Sequence, residues 1–339
     1  MYILIPFIED KPTSYQLKER GKRFIAANSF PALADFLGMK EETLKSKMEK
    51  LAYTQFYIPK PNGEKRRIES PNAALHTLQG QLNKHLQAAY YTVRPDCAYG
   101  ALIAAADEDQ PRNIYTNALQ HIGKKWLLNA DIRRFFPNIT SDMVYQALKS
   151  APFAFNATAA KCLTQLTTHE KRLPTGAPTS PILSNIVCLN LDKKLLELAQ
   201  EHGWTYTRFI DDLSFSGFQK FTAEQIDAIA KILTSEHFAM NTKKLTISKI
   251  KDKPEVTGLI LKTSKPDISR KFITALKKNI RLYHRMANED MTIRQLFPAA
   301  LVMRFRRFLH GQLHFVKFVR GEGDADYLRL HALLQPRAY

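Results

Sequence analysis

The chain has 339 residues, of which 45% are hydrophobic, so it can bury a sizeable core in one to three domains. Lysine and arginine number 50 against 32 acidic residues, and the net charge of +18 favours a polyanionic partner, most often nucleic acid. The three cysteines (Cys97, Cys162 and Cys188) are scattered without a CxxC pair, which argues against a disulfide framework and a zinc ribbon.

The first residues, MYILIPFIEDKPTS, are apolar for about eight positions but lack a basic start, so no signal peptide is predicted. No run reaches the roughly 18 apolar residues that a membrane helix needs. We therefore expect a cytoplasmic protein without membrane contact.

Hydrophobic spacing predicts helices over residues 14–52 and 73–90. Between them, YTQFYIPKPNGEKRRIESP alternates around Asn62-Gly63, which indicates a hairpin. Residues 124–136 read as a buried strand followed by a turn. Further helices are predicted over 179–202 and 221–235, with a hairpin between them and two short strands after them, KLTISK and EVTGLIL.

The last part of the chain is basic and helical. In ISRKFITALKKNIRLYHRM, the apolar residues share one helical face. A second face carries four cations, and it is either a solvated face or, as we expect in so basic a chain, a surface that tracks nucleic-acid phosphates. These four cations are Arg270, Lys277, Arg281 and Arg285.

Three aspartates interrupt or end apolar strands: Asp131, Asp211 and Asp212. If the two strands lie side by side, the carboxylates converge, and like charges cannot share a site without a large positive charge. Oxygen ligands suit Mg²⁺, and two Mg²⁺ ions ~3.5–4 Å apart could clamp a phosphoryl displacement. Three unrelated surface aspartates are the alternative.

The rest of the chain favours the metal site, because five stretches in order resemble reverse transcriptases. They are IPKPNGEKRRIESP, NADIRRFF, LPTGAPTSPILSN, FIDDLSFS and NTKKLTIS. The resemblance covers about residues 30–320 and implies an α+β right-hand polymerase with fingers, an RRM-like antiparallel-sheet palm and a helical thumb. It implies N-terminal helices and fingers over 1–85, the first part of the palm over 86–139, a fingers–palm connection over 140–178, the palm with the Asp-Asp hairpin over 179–262, and the basic thumb over 263–339.

The resemblance also implies the residue roles of an RNA-directed DNA polymerase. Asp131, Asp211 and Asp212 would be catalytic and would hold two Mg²⁺ ions, with Asp212 less essential to direct ligation. The residues implied to handle the deoxynucleoside triphosphate are Lys60 and Arg67 on the two hairpin arms, Phe136 against the ribose 2′ position, Gly176 near the nascent base pair, and Lys244 at the leaving pyrophosphate.

Two departures from the family pattern are visible. Phe209 and Ile210 precede the aspartate pair, where the family usually has Tyr and a small residue. Thr175 stands where the family usually has Gln. Neither departure removes a metal ligand, and both bear on nucleotide and template handling.

Two shorter stretches resemble signatures of bacterial retron reverse transcriptases: NALQH, residues 117–121, and VTG, residues 256–258. That resemblance implies a cognate structured non-coding RNA, priming from the 2′-OH of an internal guanosine, and multicopy single-stranded DNA as product. It also implies a separate effector protein, antiphage defence and a higher-order complex. Asn117 and His121 could contact the RNA, or could instead brace the helix that enters the palm.

Two other functions are left open by the sequence. One is a reverse transcriptase from another bacterial defence or mobile-element lineage without 2′–5′ priming, against which the stretches at 117–121 and 256–258 argue. The other is a catalytically idle polymerase fold that acts as an RNA-binding scaffold. The retained aspartates, with Lys60 and Arg67, argue against that second function.

Overall fold

The computed structural model describes residues 11–59, 63–289 and 298–335. The first described elements are helices, as predicted for residues 14–52. The first of them starts at a capping box, in which the side chains of Thr13 and Gln16 each accept a hydrogen bond from the other residue's backbone N–H. Gly21 on this helix packs so closely on the fourth helix that an added Cβ would lie 2.4 Å from the Ala88 carbonyl oxygen. These helices are α1 (Ser14–Ala26), α2 (Phe30–Phe36), α3 (Glu41–Glu49) and α4 (Ala73–Tyr91).

The predicted hairpin is present as β1 (Tyr53–Pro59) and β2 (Lys65–Pro71), an antiparallel pair that forms its own two-stranded sheet. Its exposed strands contrast with the buried base, where Glu69 is 1% exposed. The predicted nucleotide-binding residue Lys60 and the turn residue Asn62 lie outside the described residues.

A four-stranded antiparallel sheet forms the centre of the fold, with strand order β4-β5-β3-β6. Its central strands are apolar and are buried on both faces, as expected from their sequence. The antiparallel pairing places Asp131 directly opposite Asp212, so both strands carry a carboxylate at the same end of the sheet. The strands are β3 (Trp126–Asp131), β4 (Thr205–Phe209), β5 (Asp212–Gly217) and β6 (Thr246–Lys249).

Helices cover this sheet, and their buried apolar residues join it in one large core, except for Ala118, which belongs to the second core described below. The single helix expected over 179–202 is two helices, because the chain bends at Cys188, which ends one and begins the next. All three cysteines are buried and unpaired. The helices are α5 (Ile114–Leu119), α6 (Phe135–Asn138), α7 (Ser141–Lys149), α8 (Ala157–Thr167), α9 (Ser180–Val187), α10 (Leu189–Glu201) and α11 (Ala223–Ser235).

The stretch EVTGLIL, expected as one strand, is a hairpin of β7 (Glu255–Val256) and β8 (Leu259–Leu261), followed by β9 (Pro266–Asp267). Thr257 and Gly258 both have positive φ, 49° and 81°, as a two-residue hairpin turn of this type requires. This small sheet and the last helices share a second apolar core. The helices are α12 (Arg270–His284), which continues into a π-helical turn (Arg285–Glu289), α13 (Ala299–Arg320) and α14 (Ala325–Leu334).

The mixture of helices and antiparallel sheets agrees with the predicted α+β polymerase fold. Among the described residues, no helix is long and apolar enough to cross a membrane.

Candidate active site

The three predicted catalytic aspartates lie at one end of the four-stranded sheet. Strand β4 ends at Phe209 and β5 begins at Asp212, so Ile210 and Asp211 form a two-residue hairpin turn. The backbone N–H of Ile132, next to Asp131, donates to the Asp211 carbonyl oxygen at 2.9 Å. The turn is therefore fixed directly to the strand that carries the third carboxylate.

The carboxylates at this site disfavour one another's ionisation. Desolvation, followed by repulsion from Asp131, raises the pKa of Asp211, while the positive charges of Lys244 and Arg66 oppose the rise. Although the Asp212 side chain keeps solvent contact, desolvation and repulsion from Asp211 and Asp131 raise its pKa to about 6. A divalent cation would relieve this repulsion, so the residues fit the predicted Mg²⁺ ligand set.

Lys244 forms an ion pair with one of the three aspartates, Asp131. Its Nζ is 2.5 Å from Oδ2 of Asp131, and this contact raises the pKa of Lys244. The second oxygen of Asp131 accepts a hydrogen bond from Asn241 Nδ2 at 3.0 Å. The Lys244 side chain is 62% exposed, so its ammonium group can reach a substrate phosphate, but the Asp131 carboxylate is only 8% exposed and would then need another cation beside it.

The hairpin presents Arg66 to this site. Alternation along β2 puts Arg66 and Arg67 on opposite faces. The pKa of Asp211 is raised overall, and the positive charge of Arg66 is one of the contributions that oppose this rise. The sequence assigned the triphosphate contact to Arg67, and that assignment stays a prediction. The period-2 pattern places Arg67 on the same face as the buried Glu69 and Arg66 on the other face.

Arg67 belongs to an ion-pair network instead. One of its terminal nitrogens lies 3.0 Å from both carboxylate oxygens of Glu170 and 3.1 Å from Glu69. Arg172 also bonds both acids, at 2.7 and 2.8 Å to Glu69 and 2.9 Å to Glu170. Glu69, His169 and Glu170 are close enough together for a cation. The two guanidinium groups already neutralise this cluster, so we interpret it as a structural support of the hairpin.

Gly176 lies at the base of the same hairpin. Its φ is 125°, and an added Cβ would lie 2.9 Å from Cγ2 of Ile68. The preceding residue, Thr175, accepts a hydrogen bond from the Glu69 backbone N–H at 2.7 Å. A glycine is required here because the segment crosses β2 in close contact. Phe136 is half-buried at the start of α6, against the ring of Phe135.

A buried ion pair supports the aspartate turn from behind. Arg208, fully buried in β4, bonds both oxygens of Asp192 on α10, at 2.7 and 2.6 Å. Its remaining nitrogen donates to Asn185 at 2.9 Å and to the Ile210 carbonyl at 3.1 Å. Ile210 has a φ of 61°, and its carbonyl is held by this bond at the start of the aspartate turn. Neither Arg208 nor Asp192 was predicted from sequence.

Asn117 and His121 are 1% and 0% exposed. The two ring nitrogens of His121 lie 2.8 Å from the hydroxyls of Ser216 and Thr207, so the ring joins α5 to strands β5 and β4. Burial lowers the pKa of His121 to about 3 and keeps the ring neutral. This arrangement favours the bracing role over the predicted RNA contact, because neither side chain reaches the surface.

The two short signature stretches touch each other. Asn117 Nδ2 lies 3.5 Å from the Thr257 hydroxyl, which itself donates to the Ile114 carbonyl at 3.2 Å. The stretches at 117–121 and 256–258 therefore join the central sheet to the small C-terminal sheet.

The four cations predicted to track phosphates lie along α12 and in the turn that follows it. Its apolar residues enter the second core, and Arg270, Arg281 and Arg285 are exposed, whereas Lys277 is half-buried. None of the four has a carboxylate partner among the described residues. They remain available to an anionic partner.

Comparison with known proteins agrees with this geometry. Residues 58–261 match the family described as "Reverse transcriptase (RNA-dependent DNA polymerase)". The chain is 29% identical over 231 residues to the retron Ec86 reverse transcriptase of Escherichia coli, covering 67% of this chain and 69% of that protein. It is 30% identical over 289 residues to the retron Mx65 reverse transcriptase of Myxococcus xanthus, covering 80% of this chain and 62% of that protein.

A solved structure with a lower similarity is telomerase from Candida albicans in complex with a TWJ fragment of telomeric RNA. The TM-score is 0.46 at 11% identity, covering 85% of this chain and 64% of that chain. The family match and the two sequence relatives confirm the resemblance to retron reverse transcriptases that the motifs predicted. The chain spans about two thirds of the length of those two relatives.

Proposed function

This chain belongs to the reverse transcriptase family, and we propose that it copies part of a cognate structured RNA into multicopy single-stranded DNA. Synthesis would begin at the 2′-OH of an internal guanosine in that RNA and leave a 2′–5′ branch. The RNA–DNA product, together with a separate effector protein, would act in antiphage defence. The observation that carries the catalytic part is the convergence of Asp131, Asp211 and Asp212 at one end of the sheet.

The residues around the aspartates fit the reaction. Two Mg²⁺ ions held by the carboxylates would activate the attacking hydroxyl and stabilise charge on the leaving oxygen. Arg66 would bind the triphosphate with a bidentate fork, and Lys244 would neutralise the pyrophosphate as it leaves. Phe136, next to this site in sequence and half-buried, would crowd a ribose 2′-OH and favour deoxynucleotides.

The retron-specific part is supported by the relatives and by the contact between the stretches at 117–121 and 256–258. The exposed cations of α12 would bind an RNA stem through its phosphates, because A-form grooves hinder base readout. Lys60, outside the described residues, remains a predicted triphosphate contact.

The proposal is tested in cells that carry the gene with its natural flanking DNA. The chain is purified, and the bound nucleic acid is sequenced and treated with a 2′–5′ debranching enzyme. We expect a branched RNA–DNA species whose mobility changes on debranching. Linear complementary DNA would place the chain in another reverse transcriptase lineage, and RNA without any DNA would favour the scaffold alternative.

Asp211→Asn tests the site itself. We expect it to abolish DNA synthesis while RNA still co-purifies, because the substitution removes a metal ligand without altering the RNA-binding surface. Asp227→Asn is the matched control, since Asp227 is exposed on α11 and pairs only with Lys231 one turn away. DNA synthesis by the Asp211 variant would refute the assignment of the aspartates.

A further inference from the structure

A second feature of the central sheet lies at the end opposite the aspartates. Strand β3 begins at Trp126, which pairs with Gly217 and Lys249, and ends at Asp131. Five residues of extended strand separate the two ends by roughly 17 Å. A cleft of about 440 Å³ opens beside Trp126, between the turn at Gly123 and the Lys249–Lys251 segment.

The cleft concentrates unpaired positive charge. Four lysines line it (Lys124, Lys125, Lys249 and Lys251), and Lys220 lies close by, over the Trp126 ring. None of these five forms an ion pair with another described residue, in contrast to lysines such as Lys231 on α11. A group of unpartnered cations around a cavity favours an anionic ligand.

Two aromatic rings, those of Trp126 and Phe218, lie beside these lysines. The Nζ atoms of Lys249 and Lys220 lie 5.3 and 5.9 Å from the centroid of the half-buried Trp126 ring. Phe218, which follows β5, is 58% exposed, and Lys124 Nζ lies 5.1 Å from its ring centroid. A partly exposed ring and an exposed ring, each with cations beside it, offer stacking for bases and neutralisation for phosphates, which is how proteins bind single strands without reading sequence.

We propose that this cleft binds a single-stranded segment of nucleic acid, with bases stacked on Trp126 and Phe218 and phosphates on the surrounding lysines. The site is separate from the polymerising aspartates and from the basic face of α12. It would hold a strand entering or leaving the enzyme at the far side of the sheet. The inference does not depend on 2′–5′ priming or on catalysis.

Tryptophan fluorescence reports on this cleft directly, because the chain has two tryptophans, Trp126 and Trp204. In Trp204→Phe, with circular dichroism confirming the fold, Trp126 is the remaining emitter. Titration with 12-nucleotide oligo(U) or oligo(dT), without Mg²⁺ or nucleotides, should quench its emission saturably. Tighter binding of one oligonucleotide would identify the strand as RNA or DNA. Absence of quenching with both would overturn the proposal.

Two further variants separate this cleft from general attraction to a basic protein. Trp126→Leu should weaken binding of a labelled oligonucleotide by roughly 5- to 150-fold, the range found for loss of one stacked base. Lys249→Ala with Lys251→Ala should weaken it about tenfold or more and reduce the salt dependence. The control pair, Lys18→Ala with Lys161→Ala, removes the same charge from exposed positions on α1 and α8. Equal weakening by both pairs would refute a specific site.

Because the assay omits nucleotides and metal, its result is independent of the proposed activity. If oligonucleotides quench Trp126 emission but the chain makes no branched DNA, the cleft proposal stands and the proposed function is refuted. If the chain makes branched DNA but no quenching occurs, the cleft proposal is refuted and the proposed function stands.

Discussion

The ion pair between Arg208 and Asp192 provides a quantitative test of how the catalytic turn is held. Both side chains are fully buried, and the pair is bidentate. Asp192→Asn keeps the shape of the side chain but removes its charge. Burial alone would lower the pKa of Arg208, but the Asp192 charge raises it well above its usual value. In the variant, the Arg208 guanidinium would remain charged in the interior without that partner.

The expected effect is large. Removing one partner of a buried ion pair typically destabilises a protein by about 3–5 kcal/mol, because the remaining charge is uncompensated. That is a substantial part of the roughly 5–15 kcal/mol by which domains are stable. Asp227→Asn makes the same chemical change in an exposed pair with Lys231, where solvent screens the charges and the loss should be small.

Urea unfolding of the two variants and the parent chain measures the difference. Asp192→Asn should lower the free energy of unfolding by several kcal/mol more than Asp227→Asn, with no large change in the slope against urea. A loss below about 1 kcal/mol for Asp192→Asn would show that the pair does not hold the turn in the way its geometry indicates. Under conditions where that variant stays folded, we also expect a higher Mg²⁺ requirement, since Arg208 fixes the carbonyl of the turn.

Three shorter predictions follow from the site. Gly176→Ala should destabilise the chain by about 1–3 kcal/mol and raise KM for deoxynucleotides. Gly38→Ala is the control for backbone strain alone in the same unfolding and kinetic assays, because Gly38 has a φ of 68° and open space around it. Arg66→Gln should raise KM for deoxynucleotides more than Arg67→Gln in steady-state primer extension; the reverse order would restore the original assignment. Burial lowers the pKa of His121 from 6.5 to about 3 in the folded chain. The buried neutral ring therefore makes its full contribution to the free energy of unfolding above pH 6.5. As the pH falls from 6.5 towards 3, up to about 1.4 kcal/mol of that free energy is lost per pH unit. His121→Asn should flatten that slope in unfolding measured between pH 4 and 7, and an unchanged slope would contradict the burial argument.

The convergence of the aspartates was predictable because two apolar strands carried them at matching ends. The five motifs in order identify a family, but they do not tell Arg66 from Arg67; the alternation along β2 places these two side chains on opposite faces of the hairpin. The pair between Arg208 and Asp192 joins a strand to a helix, and no local pattern indicates it. The hairpin at residues 255–261 was misread as one strand, although Gly258 is a turn signal.

The contact between NALQH and VTG could not have been read from the sequence, because more than a hundred residues separate the two stretches. Their side chains support each other and the sheet, as Asn117 and Thr257 do, so a signature that defines a lineage is here also part of the packing. The division of the chain at residues 85, 139, 178 and 262 into fingers, palm and thumb stays a prediction.

The departure at Ile210 is explained by its neighbour Gly100. A β-branched residue at a φ of 61° is unfavourable, and it needs space that the usual small residue does not. An added Cβ at Gly100 would lie 2.6 Å from the Ile210 nitrogen and 2.8 Å from its Cγ1, so glycine leaves the room that Ile210 fills. Asn185 connects the two sides, since it donates to the Gly100 carbonyl at 2.9 Å and accepts from Arg208. The larger residue thus packs against Gly100 in the segment behind the turn.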